Sequence, residues 1–354
     1  MEIVQYKCPN CGANLSFSAE KQGFDCEYCF SFFTEEEIKK AFAENENMAL
    51  DENVVEQQQN NDEFAEHNNL YSCPNCGAEI VSEDTTSATF CYYCHNPVIL
   101  SGRLSGDFRP DKVIPFKIEK NKAIDTFKEW SGKKWFVPAA FHSQGQIEKM
   151  TAIYVPFWLA DCMTDAQASA IGKKIRTWTE GEYQCTETTE YAVERQANIR
   201  FKGIPVDGAS KIENSLMEAI EPFNYNDLKD FSMSYLSGFL AQKYDEGKAE
   251  VFPRVKERVE QGMDSIIRNS MNYDSVNIIS KNNRILKTDW QYSLMPVWFL
   301  NFKYNDEDYS FTMNGQTGKM AGRLPVSKGK VFGFIAGVTA VLTAIITLGG
   351  YLLS

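Results

Sequence analysis

Histidine is nearly missing from this 354-residue chain, which has only His67, His95 and His142. His67 lies in an acidic polar stretch, His95 stands beside a cysteine, and His142 is alone, so no acid–base constellation can be assembled around them. His142 with Cys162 and Cys185 could form a nucleophile–base pair or a further metal site; the alternative is that both cysteines are inert buried thiols. Asp161 and Asp165 flank Cys162 without a second carboxylate partner. Basic residues are also missing where a nucleic-acid binder would need them, because no Lys or Arg occurs between residues 70 and 100. The net charge of −12 divides as −3 over residues 1–43, −8 over 44–69 and −3 over 70–100, leaving the remainder near neutral. Such an acidic N-terminal part repels phosphate backbones, which makes nucleic acid an unlikely ligand. A nucleotide-binding loop is lacking too. Asn314-Gly315-Gln316-Thr317-Gly318-Lys319 has neither the four-residue gap between glycines nor a hydroxyl after Lys, and it reads as a hairpin turn.

Cysteine, by contrast, is plentiful and ordered. Cys8-Pro9-Asn10-Cys11-Gly12-Ala13 returns as Cys73-Pro74-Asn75-Cys76-Gly77-Ala78, and each copy is followed by a second pair, Cys26/Cys29 and Cys91/Cys94. Two Cys-x-x-Cys turns facing each other make a tetrahedral Cys₄ site for Zn²⁺. The pattern therefore predicts tandem zinc ribbons, with Cys8, Cys11, Cys26 and Cys29 on one structural zinc and Cys73, Cys76, Cys91 and Cys94 on another. Full sulfur shells leave no open position for a hydrolytic water. A disulfide framework and redox Cys-x-x-Cys chemistry are the rivals; the first lacks a secretory leader and the second a surrounding βαβ pattern. Reduced zinc-binding thiolates place this part in a reducing cytoplasm.

Thr34 with Glu37 is a capping box that starts a short helix closing the first ribbon. Residues 44–69 are mostly Asn, Gln, Glu and Asp and read as a flexible linker. In the second ribbon Tyr92 and Tyr93 pack the knuckle or stack on a base. The periodicity beyond predicts helices over Ile118–Trp130, Ser210–Glu221 and Asn226–Lys243, and a fourth from Pro253 through Val255, Val259 and Ile266. Ser210 and Glu213 look like a second capping box. Ile153–Leu159 and Leu294–Leu300 read as strands that share Pro-x-Trp, each proline being expected at a strand start or bulge. Two related α+β lobes account for the match; coincidence is the alternative. The second copy continues as a meander through Trp298–Tyr304, Tyr309–Met313 and Lys319–Leu324.

Val331–Leu353 carries no charge and, at about 1.5 Å per residue, is long enough to cross a bilayer core of about 30 Å. Lys319, Arg323, Lys328 and Lys330 precede it, so the positive-inside rule leaves the N-terminal bulk cytoplasmic, with the helix as a single-pass tail anchor. Gly333 and Gly337 form a small-xxx-small pair suited to pairing with another membrane helix. The expected organisation is multidomain: ribbon 1 at 1–43, linker at 44–69, ribbon 2 at 70–104, an α+β body at 105–326 and a transmembrane helix at 331–353.

With both cysteine repeats, the Pro-Val-Trp and Asn-Gly-Gln-Thr-Gly-Lys segments and the terminal apolar stretch in place, the chain resembles a bacterial family of TFIIB-type double zinc-ribbon membrane proteins, the YdjG-like proteins. Their genes lie beside those of a phage-shock-protein-A homologue, a partner membrane protein and an SPFH-related protein. The resemblance implies a non-catalytic membrane adaptor that docks such protein partners, with envelope stress as the expected setting. Some members carry the label of a primosomal helicase or phage replication protein, which this chain, lacking an ATP-binding loop, does not support. The competing expectation is a nucleic-acid-binding regulator held at the membrane; a hydrolase using Cys162 or Cys185 is a third.

Overall fold

The computed structural model describes residues 3–4, 6–48, 68–72, 79–83, 86–90, 97–100, 108–138, 150–304 and 307–353. In chain order these hold β1 (Ile3–Val4), β2 (Ser16–Ser18), β3 (Gly23–Asp25), β4 (Phe32–Phe33), α1 (Glu35–Met48), β5 (Asn68–Ser72), β6 (Glu79–Glu83), β7 (Thr86–Phe90) and β8 (Pro97–Leu100). The body follows with β9 (Lys112–Val113), α2 (Lys120–Gly132), β10 (Thr151–Glu180), β11 (Tyr183–Asp207), α3 (Asn214–Ala219), β12 (Lys229–Asp230) and β13 (Leu240–Gln242). Then come α4 (Lys248–Asn269), β14 (Ser275–Tyr304), β15 (Glu307–Asn314), β16 (Met320–Gly322) and α5 (Lys328–Leu353).

The centre is the antiparallel pair β10–β14, in which Tyr154 faces Pro296 and Pro156 faces Leu294. The two Pro-x-Trp segments therefore run past one another around the Val155–Met295 pair. Side chains alternate between two cores. Tyr154, Trp158, Leu294 and Trp298 point to one shared with α2, α4 and the N-terminal cysteine module. Val155, Phe157, Leu159, Met295 and Val297 point to the other, closed by Ala209–Phe223. Covered on both faces, this part of each strand reads as an uninterrupted apolar run.

The prolines are not at strand starts or bulges, as the sequence suggests; they lie inside long strands. Pro156 sits where the outer neighbour of β10 changes from β13, whose pairing ends at Tyr154 of β10, to β11, whose pairing begins at Phe157 of β10. Pro296 sits where the outer neighbour of β14 changes from β9, whose pairing ends at Leu294 of β14, to β15, whose pairing begins at Val297 of β14. At each changeover no ladder donor is required, so a residue without an N–H fits.

Beyond the body β10, β11 and β14 continue as an arm; a 30-residue strand spans about 100 Å of extended chain. α4 lies along it, burying Val251, Val255, Val259, Met263 and Ile267 in the core that holds Ala166, Ala168 and Ala170. The helix begins at Lys248, five residues before the expected start, and Pro253 lies inside it. Ile267, not Ile266, belongs to the buried stripe.

Two expected helices differ further. Over 210–221 only Asn214–Ala219 is α-helical. Ser210 does not cap Glu213; its amide and hydroxyl both donate to Asp245, at 2.8 and 2.7 Å. Residues 226–243 form no α-helix but 3₁₀ turns and the short strands β12 and β13. Ser232 accepts from the Ser234 amide, and Gly238 adopts φ +92°, local arrangements that compete with helix. The helix over Lys120–Gly132 and the meander β14–β15–β16 follow the sequence reading.

Candidate metal centre

Cys8 and Cys11 occupy a turn in which the Cys8 amide donates to Ala13 (2.6 Å) and the Gly12 amide to Cys8 (2.8 Å). The second turn repeats this: Cys26 N–H to Ser31 at 2.9 Å and Phe30 N–H to Cys26 at 2.9 Å. Gly12 and Phe30, each following the second cysteine of its pair, both have positive φ, +74° and +59°. Asn10 Nδ2 donates to Ser31 Oγ at 2.9 Å and ties the two turns together.

The four sulfurs lie within 4.8 Å of one another, with Cys8–Cys29 and Cys11–Cys26 each at 3.5 Å. A tetrahedron of bonds of about 2.3 Å has edges of about 3.8 Å, so the geometry fits a single tetrahedral metal ion. The electrostatics agree. The Ser31 hydroxyl and amide hold the Cys29 thiol down at about 6. The Ala13 amide works in the same direction on Cys11, but desolvation and the thiols of Cys29, Cys26 and Cys8 override it and push Cys11 up to about 12. Four sulfurs this close cannot all ionise without a cation between them.

The module is fixed to the body. Phe17 N–H donates to Ser237 (3.0 Å), Ser237 Oγ donates to the Leu15 carbonyl (2.5 Å), and the Phe17 ring meets Tyr235 edge-on at 5.3 Å. α1 starts as the sequence indicates: Thr34 N–H and Oγ1 both donate to Glu37 (2.8 and 2.9 Å), and the Glu37 amide donates back to Thr34 Oγ1 (3.4 Å). Lys229 then pairs with Glu35 at 3.0 Å. β1 joins β8, β8 joins β7, and β7 joins β13 of the body. Residues 1–43 are therefore not an independent unit.

Cys73, Cys76, Cys91 and Cys94, with Tyr92, Tyr93, His67, His95 and His142, lie outside the described residues, as does most of the 44–69 linker; α1 carries its first residues to Met48. The flanking strands are described: β5 pairs antiparallel with β6 and β7 with β8, one hairpin around each Cys-x-x-Cys of the second repeat. Cys162 and Cys185 do not meet. Cys162 is buried beside Thr288 (3.6 Å), and burial pushes its thiol up. Cys185 pairs with Trp178 near the arm tip, about 50 Å of strand away. Asp161 accepts the Gly203 amide (2.7 Å) at a bulge, and Asp165 pairs with Arg284 (2.7 Å).

A feature not read from sequence is the exposure of aromatics at the second turn. Tyr28 is 78 % and Phe30 88 % exposed, and Phe32 also faces solvent. The signal was available in Cys26-Glu27-Tyr28-Cys29-Phe30-Ser31-Phe32-Phe33, where aromatics alternate with small or ligand residues.

Among the described residues, the fold and site define a multidomain α+β protein with a four-cysteine cluster near its N-terminus and, at α5, one helix long and apolar enough to span a membrane. Its sequence is 37 % identical over 337 residues, covering 95 % of this chain and 94 % of the relative, to "Uncharacterized protein YdjG" of Bacillus subtilis (strain 168). The chain belongs to the YdjG family. No protein-family model matches it. No solved structure matches it either.

Proposed function

We propose that the protein is a membrane-anchored adaptor of the TFIIB-type double zinc-ribbon kind, whose ribbons and body bind protein partners. In this reading Cys8, Cys11, Cys26 and Cys29 hold one structural Zn²⁺, and Cys73, Cys76, Cys91 and Cys94 hold a second. The observation that carries it is the exposed aromatic trio Tyr28, Phe30 and Phe32 at a closed four-sulfur site. Phe30 keeps a bulky side chain at φ +59°, where glycine would be relaxed, and such strain is retained where the side chain has a use. Glu27 and Asp25 nearby favour a protein over a phosphate backbone as the occupant. α5 spans the membrane once, with the basic residues Arg323, Lys328 and Lys330 and the body on the cytoplasmic side. Thr339, Thr343 and Thr347 donate to carbonyls four residues back, so pairing with another membrane helix rests on Gly333 and Gly337. By family resemblance the partners are a membrane protein and phage-shock-protein-A- or SPFH-like proteins of an envelope-stress complex.

The test is affinity capture from solubilised membranes with the full chain and with Tyr28→Ser/Phe30→Gly/Phe32→Ser. The substituted chain should keep its zinc and lose its partners; an unchanged set of captured proteins would remove the reading. The same aromatics could stack on bases, which is the basis of a second reading as a membrane-held nucleic-acid-binding regulator. That reading requires salt-sensitive retardation of DNA or RNA, and no shift at low salt eliminates it.

A further inference from the structure

The turn after α2 lies against the start of α5. The Ser327 amide donates to the Phe136 carbonyl at 2.7 Å, and Lys330 Nζ to the Val137 carbonyl at 2.7 Å. Phe136 and Phe334 meet edge-on at 5.5 Å, with Trp135 6.5 Å from the same ring. Trp135 is nevertheless 76 % exposed, the most exposed described tryptophan. Phe334 is the fourth residue of the uncharged stretch, about 6 Å of helix beyond Lys330. Whatever medium surrounds Phe334 therefore reaches Trp135.

Resting on the reading that α5 spans a bilayer, we propose that the turn Lys133–Val137 is a second membrane contact. Trp135 is seated at headgroup depth, and Lys133 and Lys134 face the phosphates of anionic phospholipid. A tryptophan about 6 Å inside the apolar boundary matches the interfacial belt, where an amphipathic ring has its apolar body in the acyl region and its N–H among headgroups. The charge fits as well. Lys133 and Lys134 are exposed, as is Lys328 at the start of α5. The acid facing them, Glu129, is held by Lys133 at 2.7 Å in a pair so exposed that it competes weakly with lipid phosphate. Two attachment points, α5 and this turn, fix how the body sits on the membrane; a helix alone leaves it free to swivel.

The full chain is reconstituted into phosphatidylcholine vesicles with brominated acyl chains, with and without phosphatidylglycerol, and tryptophan emission is recorded. The wild type should show a blue-shifted component quenched by bromolipid, and Trp135→Phe should lose it. Lys133→Glu/Lys134→Glu should reduce the quenching in vesicles containing phosphatidylglycerol. Equal quenching in wild type and Trp135→Phe overturns the contact, and an unchanged response in the lysine variant overturns the anionic-lipid assignment. Alkaline carbonate extraction separates the two readings. Protein that stays with the vesicles but shows no Trp135 signal refutes this inference alone, whereas protein that is extracted refutes the spanning helix and this inference with it.

Discussion

Gly208 and Gly315 hold equivalent places on either side of the central strand pair. The Gly208 amide donates to Pro156 (2.9 Å), and its carbonyl accepts from Asp245 and Glu246 (3.0 and 3.2 Å). The Gly315 amide donates to Pro296 (2.8 Å), and its carbonyl accepts from Lys117 and Ile118 (3.0 Å each). Each follows a buried polar residue, Asp207 or Asn314. Both positions are crowded: a Cβ would approach the Glu246 carbonyl to 3.0 Å at Gly208, a tight fit, and the Phe116 ring to 2.6 Å at Gly315, where something would have to shift. The indoles follow the same scheme: Trp158 Nε1 donates to Glu246 (3.0 Å) and Trp298 Nε1 to Ile118 (2.9 Å), each two residues before a helix. Every unit of strand, helix and Pro-x-Trp strand thus completes its core with a carbonyl from the other.

The two tryptophans should therefore respond alike. Trp158→Phe and Trp298→Phe each remove a buried donor and leave a carbonyl unsatisfied, at a cost of about 1–3 kcal/mol. Urea midpoints of the detergent-solubilised protein check this; a large effect at one site and none at the other would mean the equivalence is only geometric.

Metal analysis of the purified chain should give two zinc ions, falling by one in Cys8→Ser and by one in Cys73→Ser. Because Phe17 of the first module packs in the body core, loss of the first metal should also lower the unfolding midpoint of the body.

Phe30→Gly should leave stability unchanged or raise it by roughly 0.5–1 kcal/mol, since it relieves a left-handed backbone at an exposed position. A clear loss of stability or of zinc would assign Phe30 a packing role and weaken its assignment to partner binding.

Burial alone would raise the Glu35 carboxyl, but Lys39 and Lys229 override it and hold the group at about 2. A depressed acid contributes its stability above the unfolded value of 4.5 and loses it as pH falls toward about 2. The difference in urea midpoint between wild type and Glu35→Gln should thus be full at neutral pH and shrink through that window. Zinc release affects both proteins and cancels in the difference.

The register of α4 gives the sharpest contrast. Ile267→Ala should cost about 2–5 kcal/mol and Ile266→Ala no more than about 0.5, because only Ile267 faces the arm. Denaturation midpoints decide it. From sequence the two isoleucines are adjacent and alike; the helix begins at Lys248, earlier than Pro253 suggests, and only packing shows which one is buried.

Legibility followed locality. The Cys8–Cys29 cluster, the Thr34–Glu37 cap, the meander turn at Asn314 and the apolar run 331–353 each depend on contacts within a few tens of residues, so residue types at fixed spacings specify them. The arm escaped because its strands bury one face only against α4 with alanines, and Ala166, Ala168 and Ala170 carry little hydrophobic signal. The apolar spacing of 226–243 mimicked a helix, but those side chains are divided among the first cysteine module, α1 and the sheet. The chain's own letters thus determined the four-cysteine cluster and the long apolar helix, because cysteine spacing and the length of an uncharged run are properties of short segments. Tertiary structure alone decided that the first module is clamped to the body, that two Pro-x-Trp strands complete each other's cores, and that Trp135 stands beside α5, because each joins residues 88 or more positions apart through surfaces no local pattern encodes.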